Sequence, residues 1–290
     1  MRIVENESLR EKTTLQVGGP ARYFCSPHTD DDALACVRWA LEREVPVLVL
    51  GRGSNVCVSD RGWDGLVVFL DAAFARIAWD RGEATCMGGA LLHTLVRESV
   101  GCGLAGIECL AGIPGTVGGA VVMNAGAFGQ QIGTVVDEVG YIDLATGARQ
   151  TATGAQLAFG YRQSMFQTQR TLILNVRCRF APGEQQSLES TVSDILARRR
   201  DKQPLNRPNC GSVFKNPPGQ GAGRHIEAAG LKGFSIGGMQ VSPKHANFIV
   251  NTGGGTAGDF RRLVSEVQRV VREKIGIELE PEVRFVGRFD

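Results

Sequence analysis

The chain has 290 residues, 43% apolar and 21% charged, which is enough for two domains with a sizeable core. Its net charge of +2 gives no reason to expect a nucleic-acid partner or binding to a membrane surface. Glycine is the exception, with 38 residues against the roughly 20 of average usage. This surplus indicates special backbone positions or close approaches to a ligand.

Targeting and redox features are few. The N-terminal stretch MRIVENESLREK has no apolar core, so no signal peptide is expected, and no apolar run approaches the roughly 18 residues of a membrane span. None of the cysteines forms a C-x-x-C pair or has a histidine at zinc-finger spacing. We therefore expect buried thiols in a cytoplasmic protein, not a disulfide framework. The cysteines are Cys25, Cys36, Cys57, Cys86, Cys102, Cys109, Cys178 and Cys210.

The first predicted elements form a strand–helix–strand unit. Residues 13–25, TTLQVGGPARYFC, predict a strand, a Gly-Gly-Pro turn and a second strand. A helix is expected over 29–44, because Thr29 can cap it and three aspartates follow at the positive end of its dipole. VPVLVLG, at 45–51, predicts a buried strand.

The middle of the chain alternates short strands with tight turns. Hairpins are predicted at 75–89, about Asp80-Arg81-Gly82, and at 140–152, about Thr146-Gly147. ALLHTLVRESVG, at 90–101, predicts a short helix between them. LILNVRCRF, at 172–180, alternates apolar and polar residues and predicts a strand with one buried face.

The last third begins after APGE at 181–184, a predicted domain boundary. A helix over 188–201 ends in the solvated basic run RRRDK, and 203–223 is too rich in Pro and Gly for regular structure. Strands are predicted at 247–252 and 277–287. The clearest helix, 259–275, has an apolar stripe at helical spacing and can end at Gly276.

Two glycine-rich segments suggest a ligand. Residues 112–129, GIPGTVGGAVVMNAGAFG, contain six glycines and no charge. Backbone N–H groups in such a run can converge on phosphate oxygens. GRGSN, at 51–55, follows a predicted strand. A tight turn explains GRGSN equally well, but ordinary turns do not need six glycines. Two such loops suit a pyrophosphate with a long body, such as a dinucleotide.

The common nucleotide signatures do not fit. The sequence has no G-x-x-x-x-G-K-[ST] segment. A literal G-x-G-x-x-G occurs at Gly253, Gly255 and Gly258, but no strand–helix–strand unit is evident around it. Thr256 and Asp259 explain the segment better, as the start of a helix.

Several long blocks together resemble the UDP-N-acetylenolpyruvoylglucosamine reductases, flavoenzymes of bacterial cell-wall synthesis. Beside the two glycine loops, these blocks are FGYRQSMF, CGSVFKNP, AGLKGFSIGGMQVSPKHANFIVN and LEPEV. Their order and spacing match from about residue 13 to 287, and the length resembles the shorter subtype, which lacks an extra Tyr loop.

The resemblance implies an α+β fold with an FAD-binding region of the vanillyl-alcohol-oxidase type and an α+β substrate-binding domain. The implied division is an FAD-binding subdomain at 1–72, a second at 73–184, and the substrate domain at 185–290, whose last strand returns to the active site. The two glycine loops would hold FAD. The implied FAD-binding residues are Gly51, Arg52, Gly53, Ser54, Asn55, Gly112, Ile113, Pro114, Gly115, Thr116, Gly118, Gly119, Ala120, Asn124, Ala125 and Gly126.

The resemblance also implies the reaction. NADPH reduces the flavin and leaves, and the enolpyruvyl ether of UDP-N-acetylglucosamine is then reduced to UDP-N-acetylmuramate, a step of peptidoglycan synthesis and so of cell shape and division. Negative charge develops beside the substrate carboxylate, so the enzyme needs fixed positive or protonated groups there and an acid to protonate the carbon. Arg162 matches the family's catalytic arginine, which can grip a carboxylate through two hydrogen bonds.

Ser212 matches the proton donor and Glu282 the third catalytic residue. A hydroxyl is a poor acid unless a neighbour stabilises the alkoxide or replaces the proton. Glu282 could donate a hydrogen bond if burial raised its pKa. Glu280 would face the same side of a strand, so the family match alone chooses between the two acids.

Weaker matches place Tyr161, Lys215, Asn216 and His245 near the UDP-sugar or the nicotinamide nucleotide, although His245 is equally well explained as a structural histidine. No metal is expected. A different flavin oxidase or dehydrogenase on the same scaffold stays an alternative, as does a non-catalytic nucleotide-binding protein. We expect a monomer, because no long exposed apolar stripe indicates a partner surface.

Overall fold

Six α-helices and nineteen strands occur within residues 2–289, the part of the chain that the computed structural model describes. The helices are α1 (Asp30–Glu42), α2 (Leu92–Gly101), α3 (Val117–Met123), α4 (Gln185–Lys202), α5 (Ala222–Ala228) and α6 (Ala257–Ile275). The strands are β1 (Val4–Ser8), β2 (Pro20–Cys25), β3 (Val47–Leu50), β4 (Val56–Val58), β5 (Trp63–Phe69), β6 (Ile77–Asp80), β7 (Glu83–Met87), β8 (Leu104–Ala105), β9 (Gly126–Ala127), β10 (Gln130–Gln131), β11 (Val136–Asp143), β12 (Arg149–Thr153), β13 (Thr171–Arg179), β14 (Ala181–Pro182), β15 (Asn209–Ser212), β16 (Ser235–Ile236), β17 (Met239–Val241), β18 (Phe248–Asn251) and β19 (Arg284–Val286).

The chain divides into two compact units. The first comprises Met1–Val4, Tyr23–Arg52 and Gly65–Arg198, and the second comprises Glu5–Arg22, Gly53–Asp64 and Arg199–Asp290. The predicted three-part division, with boundaries at 72/73 and 184/185, stays a prediction. Within residues 2–289, each helix is too short or too polar to cross a bilayer.

Two sheets dominate the first unit, each with its own core. β2, β5 and β3 are neighbours in that order, and β3 runs parallel to β5. The second sheet is antiparallel, with the order β12-β11-β13-β7-β6. One core includes Cys36, Val37 and Ala40 of α1, and the other includes residues of α2, α3 and the antiparallel sheet.

Most predicted elements of the first unit are confirmed. Thr29 caps α1, because its hydroxyl accepts a hydrogen bond from Asp32 N at 3.1 Å. The strands on either side of Arg81-Gly82 pair as the predicted hairpin, and so do β11 and β12. β13 has the predicted alternation only in its second half, where Val176 and Cys178 are buried and Arg179 is exposed. Leu172, Ile173 and Leu174 are all buried, so one buried face is the wrong prediction for the first half.

The predicted strand pair at the start of the chain is partly wrong. β2 forms, but residues 13–17 make no strand, and the first strand is instead β1. Gln16 has a φ of 56°, which an extended strand does not accommodate. Leu15 and Val17 are buried in the core of the second unit, so the apolar residues that suggested a strand belong to an irregular core segment.

The second unit is built on the antiparallel sheet β15-β18-β17-β16, with α6 packed against β16 and β17. β15 lies inside the Pro- and Gly-rich segment, for which the sequence predicts no regular structure. The strand predicted at 277–287 is limited to β19, which pairs in parallel with β4. Pro281 shortens this strand, because proline has no N–H to donate to a ladder.

Helix α6 confirms the clearest prediction and extends it at the N-terminal end. Its buried stripe includes Phe260, Leu263 and Val267, each of a type that contributes roughly 1.5–3 kcal/mol when fully buried. The helix begins two residues earlier than predicted, behind a capping box. The hydroxyl of Thr256 accepts from Asp259 N at 3.0 Å, and the Asp259 carboxylate accepts from Thr256 N at 3.1 Å. Gly276 ends the helix with a φ of 75°.

The cysteines are free thiols, and most are buried as predicted. Cys102 is exposed and Cys109 half-buried, so the prediction of burial is wrong for the first and only partly right for the second. Both lie next to turns, where less chain covers the side chain. In the first unit, the Sγ atoms of Cys25 and Cys36 are 3.0 Å apart.

The capping box predicts a measurable contribution to stability. Thr256→Ala removes the hydroxyl acceptor and should lower the free energy of unfolding by about 1 kcal/mol. Thr256→Ser keeps the acceptor and is the matched control. Urea denaturation of the three proteins measures the difference, and an alanine variant as stable as wild type would contradict the assignment.

Candidate functional site

The first glycine loop touches the second within the first unit. A Cβ built on Gly51 would lie 2.6 Å from Thr116 Oγ1, closer than real Cβ contacts come. Glycine is therefore needed at Gly51, because it lets the backbone of the first loop pack against the Thr116 side chain. Arg52, next along the chain, is exposed.

The glycine run forms a turn and the short helix α3. The hydroxyl of Thr116 caps this helix by accepting from Gly119 N at 3.2 Å. Gly118 lies under another chain segment, because its N–H donates to Gly88 O at 2.9 Å and a Cβ there would be 2.8 Å from the same oxygen. Gly119, by contrast, is exposed. Part of the run thus packs inward while part of its backbone stays accessible.

Asn124 ends α3 and fixes the position of the neighbouring turns. It is fully buried with a φ of 40°, a left-handed conformation that asparagine tolerates better than most residues. Its Nδ2 donates to Gly160 O at 2.8 Å, and its Oδ1 accepts from Gly133 N at 3.0 Å. Asn124 therefore joins the glycine run to the turn that begins at Gly160.

That turn presents Tyr161 and Arg162. Gly160 and Gln163 exchange backbone hydrogen bonds, and Arg162 has a φ of 53°, as the third residue of a type II turn requires. Arg162 Nη2 donates to Gly126 O at 2.9 Å, so the guanidinium is anchored to the glycine run. Tyr161 is 56% exposed, and its ring lies 5.3 Å from the guanidinium carbon. The apolar ring of Tyr161 and the cationic guanidinium of Arg162 therefore lie side by side.

Two residues that the sequence did not single out brace the same region. The Glu108 carboxylate accepts from Gly106 N at 2.7 Å and from Gln130 Nε2 at 2.5 Å. Gln130 Oε1 accepts in turn from Cys109 N at 2.8 Å. Burial opposes ionisation of Glu108, but these hydrogen bonds outweigh it and hold its pKa below the usual range. The one signal for Glu108 in the sequence is its position as an acidic residue just before an uncharged run.

The residues of the first unit fit a large anionic cofactor held by peptide groups. Gly112, Ile113 and Gly115 are half-buried, Pro114 is exposed, and no charged side chain fills the run. Positive φ at Gly112 and Gly115 lets successive N–H groups turn towards one ligand. The other predicted FAD residues here differ in accessibility: Ala120 is buried in the core, whereas Ala125 and Gly126 are half-buried.

The rest of the first loop belongs to the second unit. Gly53 has a φ of 60° and accepts through its carbonyl from Thr14 N at 3.2 Å. Ser54 is half-buried. Asn55 Nδ2 donates to Glu282 O at 3.1 Å, so a predicted FAD residue and a predicted catalytic residue are in direct contact.

Ser212 lies at the end of β15, on a segment bonded to Glu282. It is opposite Phe248 of β18 and half-buried, and Gly211 before it has a φ of 77°. Glu282 N donates to Val213 O at 2.8 Å. Neighbouring backbone segments therefore carry Ser212 and Glu282.

The surroundings distinguish the two acids that sequence reasoning left equivalent. The Glu280 side chain is 69% exposed and pairs with Lys215 Nζ at 2.6 Å. Glu282 is half-buried, and its carboxylate interacts electrostatically with the buried thiol of Cys210. Burial raises the pKa of Cys210 to about 12, and the Glu282 carboxylate adds to that rise.

The predicted substrate residues of the second unit have structural partners too. Lys215 is engaged by Glu280, and Asn216 Oδ1 accepts from Ala222 N at 3.1 Å at the start of α5. His245 Nδ1 accepts from Asn247 N at 3.2 Å. Burial lowers the pKa of His245, which agrees with a neutral ring that accepts at Nδ1.

The predicted site residues thus form one group in each unit. Thr116, Asn124 and Arg162 are linked through the glycine run of the first, and Asn55, Ser212 and Glu282 through adjoining segments of the second. Their roles stay predictions. Within residues 2–289, no three His, Cys, Asp or Glu side chains are grouped to hold a metal ion.

Comparison with known proteins gives matches over nearly the whole chain. Residues 21–153 match the FAD binding domain family, and residues 203–286 match the C-terminal domain of UDP-N-acetylenolpyruvoylglucosamine reductase. The reductase of that name from Heliobacterium modesticaldum is 42% identical over 285 residues, covering 98% of this chain and 90% of the relative. The one from Rubrobacter xylanophilus is 42% identical over 284 residues, covering 97% and 94%.

A solved structure agrees with these relatives. The UDP-N-acetylenolpyruvylglucosamine reductase from Thermus caldophilus superposes with a TM-score of 0.83 at 35% identity, covering 99% of this chain and 98% of that one.

Two neighbouring glycines of α3 should respond differently to the same change. Gly118→Ala places a methyl against Gly88 O and should lower the free energy of unfolding by about 1–3 kcal/mol. Gly119→Ala has only Thr116 Oγ1 nearby, at 3.4 Å, and should leave stability unchanged or raise it while weakening FAD binding on the exposed face. Denaturation of the flavin-free proteins and flavin titration measure the two effects. Equal losses of stability in the two variants would contradict the assignment of Gly118 to the packed face and Gly119 to the exposed face of α3.

Proposed function

The chain belongs to the UDP-N-acetylenolpyruvoylglucosamine reductase family, and from this membership we propose that it uses NADPH to reduce the enolpyruvyl ether of UDP-N-acetylglucosamine to UDP-N-acetylmuramate. The coarser activity follows from membership: the protein is an FAD-dependent oxidoreductase of peptidoglycan precursor synthesis. The predicted family and fold class, an α+β protein with an FAD-binding region of the vanillyl-alcohol-oxidase type, are confirmed.

FAD would be held by the two glycine loops, mainly through peptide N–H groups, since the run contributes no charged side chain. When bound, FAD would supply the redox chemistry, which is hydride transfer between NADPH and the vinyl ether. The protein must then stabilise charge, deliver a proton and keep the reacting groups aligned.

We assign charge stabilisation to Arg162. Its guanidinium carries several donors in one plane, and the Nη2 bond to Gly126 O at 2.9 Å fixes the orientation of that plane. A pre-oriented cation stabilises charge developing beside the substrate carboxylate without reorganising during the reaction. The left-handed backbone at Arg162 supports a functional reading, because strained residues cluster at active sites.

We assign proton delivery to Ser212 and support of the developing enolate to Glu282. The observation that carries the proposal is the 2.8 Å bond from Glu282 N to Val213 O, which fixes the backbones beside these two side chains in mutual register. Glu282 is half-buried beside the segment that carries Ser212, whereas Glu280 is committed to Lys215.

Tyr161, Lys215, Asn216 and His245 are proposed to contact the UDP-sugar or NADPH. The exposed ring of Tyr161 suits an apolar contact, and Lys215 would have to leave Glu280 to bind a phosphate. We propose a monomer in the cytoplasm, where the free thiols of the eight cysteines would persist.

Anaerobic titration tests the reaction as a whole. The purified protein loaded with FAD should lose its absorbance at about 450 nm on addition of NADPH. The enolpyruvyl sugar should restore this absorbance by accepting the electrons. An acceptor other than this sugar, such as oxygen with an alcohol donor, would instead indicate an oxidase on the same scaffold.

Ser212→Ala should separate the two half-reactions. Flavin reduction by NADPH should continue at the wild-type rate, while reoxidation by the enolpyruvyl sugar should slow by about 10²–10⁴, the usual contribution of a positioned proton donor. Ser235→Ala, at an exposed site in the same unit, is the control. Unchanged rates in both half-reactions of Ser212→Ala would remove Ser212 from the mechanism.

A further inference from the structure

The segment just after Ser212 is hydrogen-bonded along only part of its length by the residues around Glu282. Glu282 N donates to Val213 O at 2.8 Å, and Lys215 N donates to Glu280 O at 2.9 Å. Phe214 lies opposite Pro281 between these two bonds, the arrangement of a non-hydrogen-bonded antiparallel pair. The N–H and C=O of Phe214 therefore need partners elsewhere.

The strand on the other side cannot supply these partners. The ladder between β15 and β18 ends with Ser212 opposite Phe248. Beyond it the chain turns back, with Phe248 N donating to His245 O at 3.0 Å. No further strand residues of β18 continue alongside Phe214.

The side chain of Asn247 occupies this gap. Phe214 N donates to Asn247 Oδ1 at 2.9 Å, and Asn247 Nδ2 donates to Phe214 O at 2.8 Å. Asn247 O also accepts from Val213 N at 2.9 Å. A side-chain amide has the donor and acceptor of a peptide group in one plane, so it can replace one residue of a strand.

Asn247 is itself held in place. It is 3% exposed, and its N–H donates to His245 Nδ1 at 3.2 Å. Phe214 is 1% exposed, so neither partner can exchange its bond for one to bulk water at little cost. The amide is therefore a rigid two-point clamp on the residues between Ser212 and the Glu280–Glu282 segment.

We propose that Asn247 is a positioning residue, whose side-chain amide takes the place of a missing strand and keeps the Ser212 hydroxyl in register with Glu282. The proposal rests on the proposed function for the roles of Ser212 and Glu282. Asn247 does not react. It acts through the backbone of Val213 and Phe214, so its loss shifts Ser212 without removing a reacting group.

Hydrogen exchange tests the clamp independently of catalysis. In the wild-type protein, the Phe214 amide should exchange slowly, as a strand amide does, although no strand pairs with it. Asn247→Ala and the near-isosteric Asn247→Asp should both speed exchange in peptides covering 212–215. Exchange of Phe214 at the rate of an open loop in wild type would overturn the proposal even if both variants failed to fold.

The half-reactions test the consequence for chemistry. Asn247→Ala should slow flavin reoxidation by the enolpyruvyl sugar by about 10²-fold, the cost of a small misplacement, with flavin reduction by NADPH unchanged. Asn251→Ala is the matched control. Asn251 is also a buried asparagine, 5% exposed, that bonds backbone groups, but it bonds Leu15, Gly253 and Gly255.

The outcomes separate this proposal from the proposed function. If wild type does not pass electrons to the enolpyruvyl sugar, the proposed function fails, and hydrogen exchange still decides whether Asn247 clamps the segment. If wild type is active and Asn247→Ala slows reoxidation selectively, the positioning role stands. Equal effects of Asn247→Ala and Asn251→Ala on both half-reactions would show a purely structural asparagine and overturn it.

Discussion

Close packing against glycine backbone, which leaves no space for a side chain, is the constraint on which the first unit depends. Gly51 lies against Thr116, and Gly118 lies against Gly88, at distances that leave no space for a side chain. This contact brings together chain segments that are far apart in sequence and leaves peptide groups accessible at the surface. The same run then anchors Arg162 through Gly126 O. Cofactor loop and proposed catalytic cation are thus parts of one rigid assembly.

In the second unit, side-chain amides hold irregular backbone segments in place. Asn55 bonds the carbonyl of Glu282, and Asn247 bonds both polar groups of Phe214. Each amide completes hydrogen bonding where Pro281 or a turn interrupts a ladder. Because buried polar groups are costly when unpaired, such amides fix the backbone as firmly as a strand would. Proposed reacting groups can then lie on irregular segments and still be held in register.

Local patterns predicted four of the six helices and both hairpins, because their signals lie within a few residues, whereas the short helices α3 and α5 were not predicted. Thr29 and the stripe of α6 are examples. The strand expected at residues 13–17 was wrong, because the burial of Leu15 depends on a core formed by distant segments. Asn247 lies within a block that carries the family resemblance but gives no signal of its own, since an asparagine before a strand is typical of an ordinary turn. Choosing Glu282 over Glu280 needed either the resemblance or the Lys215 contact.

The left-handed backbone of Arg162 sets folding stability against the proposed catalytic role of this residue. A non-glycine residue in this region costs of order 1 kcal/mol, and the rest of the first unit must supply that energy. Replacements by glycine or asparagine would relieve the strain while deleting the guanidinium. With the catalytic role proposed for Arg162, a screen for thermal stability alone would enrich these two replacements although they lack the guanidinium.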